Sequence, residues 1–136
     1  MSITLNATTI ASPPRASRVL IVEDDPRARW ALCAILKQMG FECSTAGNGR
    51  QAIEAVAADT PDLILMDLMM PVLDGLEATR RLKADAATRS IPVLALTADD
   101  TPSGRSNAHQ AGCDDFVPKP VVMGDLVERI HRHLSR

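Results

Sequence analysis

Five residues of this 136-residue chain stand where chemistry is done, each directly after a short apolar run. Glu23 and Asp24 follow Val19-Leu20-Ile21-Val22, and Asp67 follows Leu63-Ile64-Leu65-Met66. Thr97 follows Ile91-Pro92-Val93-Leu94-Ala95-Leu96, and Lys119 follows Phe116-Val117-Pro118. Such runs read as strands buried on both faces of a parallel sheet. Open α/β sheets bind ligands at the carboxyl ends of their strands. If the strands that end at Glu23 and at Asp67 are neighbours, three carboxylates share one cleft. Like charges there repel and raise a pKa unless a cation joins them. Donors that are all oxygen select a hard ion, and Mg²⁺ with waters is the expected choice. Lys119 is a point charge and Thr97 a hydroxyl donor, which suit an oxyanion such as a phosphoryl group. Together they describe Asp67 as a nucleophile that accepts a phosphoryl group.

The elements that must position these groups can be read in order. Pro26 suits a first helical position with Asp25 as cap, and the helix runs to about Met39, closed by Gly40. Ala28, Ala31, Leu32, Ile35, Leu36 and Met39 share one face of it, and Trp30 lies off that face. Phe41 to Ala46 is a weaker, more polar strand, and Gly47-Asn48-Gly49 is a turn. Gln51 to Ala58 is helical, with Ile53, Val56 and Ala57 facing in. After Pro71, Asp74 and Glu77 form a capping box for a helix to about Ala84. Asp99 to Gly112 is a poor helix, capped by Asp100 or Thr101, because Pro102 and Gly104 lie in it. It is expected to be short and mobile. Phe116-Val117 is a short strand that Pro118 confines to a sheet edge. Val121 to Leu134 closes the chain as a helix, with Leu126, Ile130 and Leu134 stacked.

Five strand–helix units with connections of this length force parallel strands and right-handed crossovers. The most apolar strands, the first, third and fourth, belong in the centre. The expected fold is an α/β, doubly wound (βα)₅ flavodoxin-like sheet of strand order 2-1-3-4-5. Residues 1–17 read as a flexible tail and residues 18–136 as the domain.

Composition excludes several classes. Fifteen Lys and Arg against seventeen Asp and Glu give a net charge of -2, which argues against direct binding of nucleic acid or an anionic membrane. No apolar run approaches the length needed to span a bilayer, and no secretory signal is evident. Cys33, Cys43 and Cys113 are odd in number and widely spaced. They suit a cytoplasmic protein in which they serve as small buried apolar residues. His109, His131 and His133 have no ligand spacing to Asp67 and read as solvated. Arg80, Arg81 and Lys83 read as a solvated helix face.

The motifs also resemble a family. Val22-Glu23-Asp24-Asp25-Pro26, Leu65-Met66-Asp67-Leu68-Met69-Met70-Pro71 with Asp74-Gly75, Leu96-Thr97-Ala98 and Phe116 through Lys119-Pro120 look like the response-regulator receiver domain, over about residues 18–135. The resemblance implies that Asp67 accepts a phosphoryl group from a phosphohistidine of a histidine kinase or phosphotransfer protein. It implies Mg²⁺ held by Glu23, Asp24, Asp67 and the Met69 backbone carbonyl. Thr97 and Lys119 would bind phosphoryl oxygens, with Ala98 and the Met69 backbone beside them. Phe116 would turn inward as Thr97 moves, and Lys119–Pro120 would be cis. Arg27, Ala28 and Trp30 become candidates for donor choice.

On this reading the chain is a stand-alone phosphoacceptor, not an enzyme beyond its own phosphorylation and dephosphorylation. It acts on an unidentified downstream protein, as a monomer or weak dimer. The wording Met-Asp-Leu-Met-Met-Pro also resembles receivers of hybrid histidine kinases, so a hybrid or relay component is the alternative. An Asp-nucleophile phosphatase would want a second acid where Met69 stands. A nucleotide- or flavin-binding module would want a glycine-rich loop where Glu23-Asp24-Asp25-Pro26 stands. Met69 and Asp99 lie two residues after Asp67 and Thr97. Asp99, unlike Met69, has a group that can hydrogen-bond an attacking water.

Overall fold

The computed structural model describes residues 16–70 and 72–135. Ten elements alternate: β1 (Arg18–Val22), α1 (Pro26–Gln38), β2 (Glu42–Ala46), α2 (Gly49–Ala58), β3 (Leu63–Asp67), α3 (Gly75–Ala84), β4 (Val93–Thr97), α4 (Pro102–Ala111), β5 (Asp115–Pro118) and α5 (Met123–Leu134). The strands form one parallel sheet of order β2-β1-β3-β4-β5, as the sequence implies. The expected tail falls almost wholly outside the described residues.

Strand alternation divides the core in two. Leu20, Val22, Ile64, Met66, Val93 and Ala95 face one layer, where Ala52, Val56, Ala78, Leu82 and Ala108 of α2, α3 and α4 meet them. Val19, Ile21, Leu63, Leu65, Leu94, Leu96 and Val117 face the other, under Leu36, Leu126 and Ile130 of α1 and α5. Every residue of β3 and β4 is buried. Each large aliphatic side chain there contributes about 1.5–3 kcal/mol relative to exposure. That burial is why the two strands form the middle of the sheet.

Caps fix the helix starts. Asp25 Oδ1 accepts from Arg27 N (3.0 Å), Asn48 Oδ1 from Gln51 N (2.9 Å) and Asp74 Oδ1 from Glu77 N (2.8 Å). The Asn48 cap starts α2 two residues earlier than the apolar pattern suggests.

Five expectations need correction. The apolar face of α1 is covered only in part: Leu36 is buried, but Ile35 and Met39 are 38% and 53% exposed. Within α2, Ala52 and Val56 face the core, whereas Ala57 is exposed. Cys33, Cys43 and Cys113 are partly rather than fully buried. The α4 segment, by contrast, keeps one of its two expected caps: it is a ten-residue helix capped by Thr101 Oγ1, which accepts from Gly104 N at 3.0 Å. Its two interior alanines, Ala108 and Ala111, are both buried and give it a packed face. Lys83 is not solvated, because Nζ donates to the Arg89 and Ile91 carbonyls and to Asp114 (3.1, 2.8 and 2.8 Å). His133 is buried and hydrogen-bonded to Asp115 Oδ2 at 2.9 Å.

Candidate functional site

The alternation that divides the core also aims the reactive groups. Glu23 continues the side of Val19 and Ile21, Asp67 that of Leu63 and Leu65, and Lys119 that of Val117. All three therefore lean toward the α1 and α5 layer at the carboxyl edge. Thr97 follows Val93 and Ala95 and leans the other way, toward α4. Glu23 and Asp67 are each 3% exposed, while Asp24 is open to solvent.

Lys119 Nζ donates to Glu23 Oε1 at 3.2 Å and lies 3.4 Å from Asp67 Oδ2. Burial opposes the charge of Lys119, but Asp67 and Glu23 outweigh it and hold its pKa above the ordinary value. The remaining oxygens are oriented as well. Asp67 Oδ1 accepts from Met69 N at 3.1 Å, and Glu23 Oε2 from Asp25 N at 3.2 Å. The Glu23 carbonyl accepts from Arg29 Nη1 at 2.9 Å. Arg29 is a positioning residue that sequence reading overlooks, because its contact depends on where the loop after β1 folds back.

Carboxylate oxygens of Glu23, Asp24 and Asp67 lie within 4.8 Å of one another. Hard, all-oxygen donors at that spacing, one of them solvent-facing, fit a divalent cation that keeps part of its water. The donor set therefore suits Mg²⁺.

The loop after β3 is tightly held. Gly75 N donates to the Leu68 carbonyl (3.3 Å), and Gly49 N donates to the Leu73 carbonyl (2.9 Å). A Cβ on Gly75 would lie 2.2 Å from the Asp67 carbonyl oxygen, so glycine is required for this approach. Val72 adopts φ 71°, an uncommon left-handed conformation for a β-branched residue. Met69 is 72% exposed beside the cleft.

Thr97 Oγ1 accepts from Asp99 N at 3.0 Å, so the hydroxyl partly caps the turn after β4. The carboxylate of Asp99 is committed to that same turn. Its Oδ1 accepts from Thr101 Oγ1 at 2.6 Å and from Thr101 N at 3.2 Å. The Lys119–Pro120 bond is cis, as the resemblance implied.

Residues 19–131 match the family model of the response regulator receiver domain. The chain belongs to the response regulator receiver family. Among curated relatives, the receiver is 40% identical over 119 residues to the response regulator MprA of Mycolicibacterium vanbaalenii and 41% to that of Mycobacterium leprae. The alignments cover 88% of this chain and 51% of each relative, so the chain spans about half the length of the curated relatives it matches. Among solved structures, it resembles the receiver domain of a signal transduction histidine kinase from Syntrophus aciditrophicus (37% identity, TM-score 0.83, 88% of this chain and 91% of that one). It also resembles the receiver domain of a sensor histidine kinase of Pseudomonas aeruginosa (34% identity, TM-score 0.83, 90% and 100%). That domain was solved with a magnesium ion coordinated in its active-site cleft. Receiver domains of this kind are signalling domains of two-component systems. No helix among the described residues is long and apolar enough to cross a membrane.

Proposed function

We propose that residues 18–136 act as a phosphoacceptor in which Asp67 takes a phosphoryl group from a phosphohistidine of a histidine kinase or phosphotransfer protein. The observation that carries this reading is the buried Asp67 carboxylate, with Lys119 at 3.4 Å and the Glu23 and Asp24 carboxylates beside it. A carboxylate oxygen of Asp67 attacks phosphorus in line. The P–N bond breaks, and the histidine nitrogen leaves with the electron pair and takes a proton. Lys119 and the Thr97 hydroxyl hold the phosphoryl oxygens, and Ala98 leaves space for the donor. Positioning and charge neutralisation supply most of the rate.

Glu23, Asp24, Asp67 and the Met69 carbonyl would hold Mg²⁺. When bound, the ion would neutralise charge on the transferring group. Lys119, freed from part of its pairing to Asp67, is then available to a phosphoryl oxygen.

The incomplete cover of α1 supports a docking role. A groove lined by Ala28, Ala31, Leu32, Ile35, Pro120 and Met123 reaches Glu23 and Lys119 at its upper end. Trp30, 74% exposed, stands on the same helix. Such a groove fits a helix that presents a phosphohistidine, with Arg27, Ala28 and Trp30 setting donor choice. The phosphorylated form, carrying about -1.5 to -2 more charge, would shift Thr97 and Phe116 and alter the binding of a downstream protein in the cytoplasm. Its two likenesses to receivers of histidine kinases support a second reading, a component of a hybrid kinase or relay.

The test is phosphotransfer from a panel of phosphorylated kinases and phosphotransfer proteins in the presence of Mg²⁺, with Asp67→Asn as control. Transfer that needs both Asp67 and Mg²⁺ supports the reading. No transfer from any donor, combined with no binding of beryllofluoride, rejects it.

A further inference from the structure

We propose that Arg105 is a positioning residue that holds Phe116 in its resting arrangement and thereby sets how readily Thr97 turns toward a phosphoryl group on Asp67. This rests on the phosphoacceptor reading above. Arg105 Cζ lies 4.6 Å from the centroid of the Phe116 ring, within cation–π range. Its Nε donates to Asp100 Oδ1 at 2.8 Å, and a second nitrogen is 2.6 Å from the same oxygen. A guanidinium gripped through two nitrogens keeps its plane, so its cover of the ring has a fixed orientation.

The grip leads back to the site. Asp100 N donates to the Ala98 carbonyl at 3.1 Å, and Asp99 N donates to Thr97 Oγ1 at 3.0 Å. Phe116 pairs with Ala95 in the sheet and packs on the same face to which Thr97 points. Asp100, Arg105 and Phe116 are thus linked in a chain of contacts that meets Thr97 through the β4–β5 pairing on one side and the β4–α4 turn on the other. The first turn of α4 is seated directly on that segment. A Cβ on Gly104 would lie 2.7 Å from the Asp99 carboxyl group, so movement of the segment moves the helix start.

Arg105 is not needed to build α4, since Thr101 caps the helix and Asp99 braces the cap. Its ion pair and ring contact are surface interactions, since both side chains of the pair are about half exposed. Each is worth a severalfold change in an equilibrium at most. Contacts of that size bias a two-state element without locking it. When the Thr97 hydroxyl turns to a phosphoryl oxygen it gives up the Asp99 amide. Asp100 shifts, Arg105 lifts from the ring, and Phe116 is free to follow Thr97.

The experiment measures beryllofluoride affinity in Mg²⁺ and the ¹⁹F signal of fluorinated Phe116, using the full chain. Arg105→Ala should tighten beryllofluoride binding about two- to fivefold, the size expected for losing one such contact. It should also shift the Phe116 signal in the unliganded protein. Arg105→Lys, which keeps the charge but loses the planar grip, should move both readouts in the same direction. In a Phe116→Leu background, Arg105→Ala should have no effect on affinity. Unchanged or weaker binding in Arg105→Ala overturns the proposal. So does wild-type behaviour of Arg105→Lys, or an effect that persists without the Phe116 ring. If the wild-type protein binds no beryllofluoride, the phosphoacceptor reading fails by itself. An unmoved Phe116 signal in unliganded Arg105→Ala overturns the Arg105 contact independently.

Discussion

Lys119 Nζ stands 3.4 Å from Asp67 Oδ2, and the lysine shares itself with Glu23 Oε1 at 3.2 Å. The ammonium thus occupies the same carboxylates that a divalent cation would use. Two positive charges competing for one set of oxygens must oppose each other's binding. Lys119→Met should therefore bind Mg²⁺ severalfold more tightly, yet bind beryllofluoride at least tenfold more weakly, because an oxyanion loses its ammonium partner. Calorimetric titration of each ligand checks both signs. Parallel weakening of Mg²⁺ and beryllofluoride would contradict the competition.

Gly75 lies against the carbonyl of Asp67, the proposed phosphoacceptor. Gly75→Ala forces its Cβ into backbone that cannot yield as a flexible side chain would. It should cost about 1–3 kcal/mol of stability, the range of overpacked sites. Because the displaced atoms belong to Asp67 and Leu68, phosphorylation should slow as well. Urea denaturation and a phosphotransfer time course measure the two effects.

Met69 is 72% exposed, and its backbone amide is spent on Asp67 Oδ1. Its side chain offers no hydrogen bond to an attacking water. Met69→Asn should leave stability within about 0.5 kcal/mol, as for a surface change, and should speed loss of the phosphoryl group severalfold. Dephosphorylation followed in Mg²⁺ after donor removal checks this, and an unchanged rate rejects it. Asp99 was a second candidate to orient that water. Its carboxylate instead braces Thr101, so Asp99→Ala should lower the melting temperature through the start of α4.

Asp115 carries the pH prediction. Burial pushes its carboxyl up, but the Phe116 amide, His133 and Arg129 outweigh burial and hold it below the ordinary 3.8. The folded value is thus lower than the unfolded one. Its contribution to stability is complete above the unfolded value and is lost as pH falls from about 4 through the folded value. Asp115→Asn should reduce stability at neutral pH and flatten the acid limb of the stability curve below about pH 4. Chemical denaturation at stepped pH measures it, and an acid limb parallel to that of the wild type would contradict the assignment.

The sites legible in the sequence were those whose position is set locally. A carboxylate at the end of an apolar run stands at the end of a strand wherever the strand lies, so Glu23, Asp67, Thr97 and Lys119 could be named in advance. Contacts between distant segments were not legible. His133 read as solvated because nothing near it in the chain announces Asp115 on β5. Lys83 read as an outward helix residue, although three acceptors from the segments around β4 and β5 converge on it. Arg105 lay in a segment that reads as a poor helix, and its stacking on Phe116 needs α4 and β5 side by side.

Sequence by itself determined the order of elements, the central strands and the polar residues at four strand ends. Apolar run length and the reach of each connection suffice for that, and both are properties of the chain. Tertiary structure decided which groups meet. It paired Lys119 with Glu23 and Asp67, turned Thr97 toward α4, and left the groove beside α1 half-covered. Those outcomes depend on the twist and spacing of packed layers, where a distance of about 3 Å separates a hydrogen bond from none, and no local pattern encodes such distances.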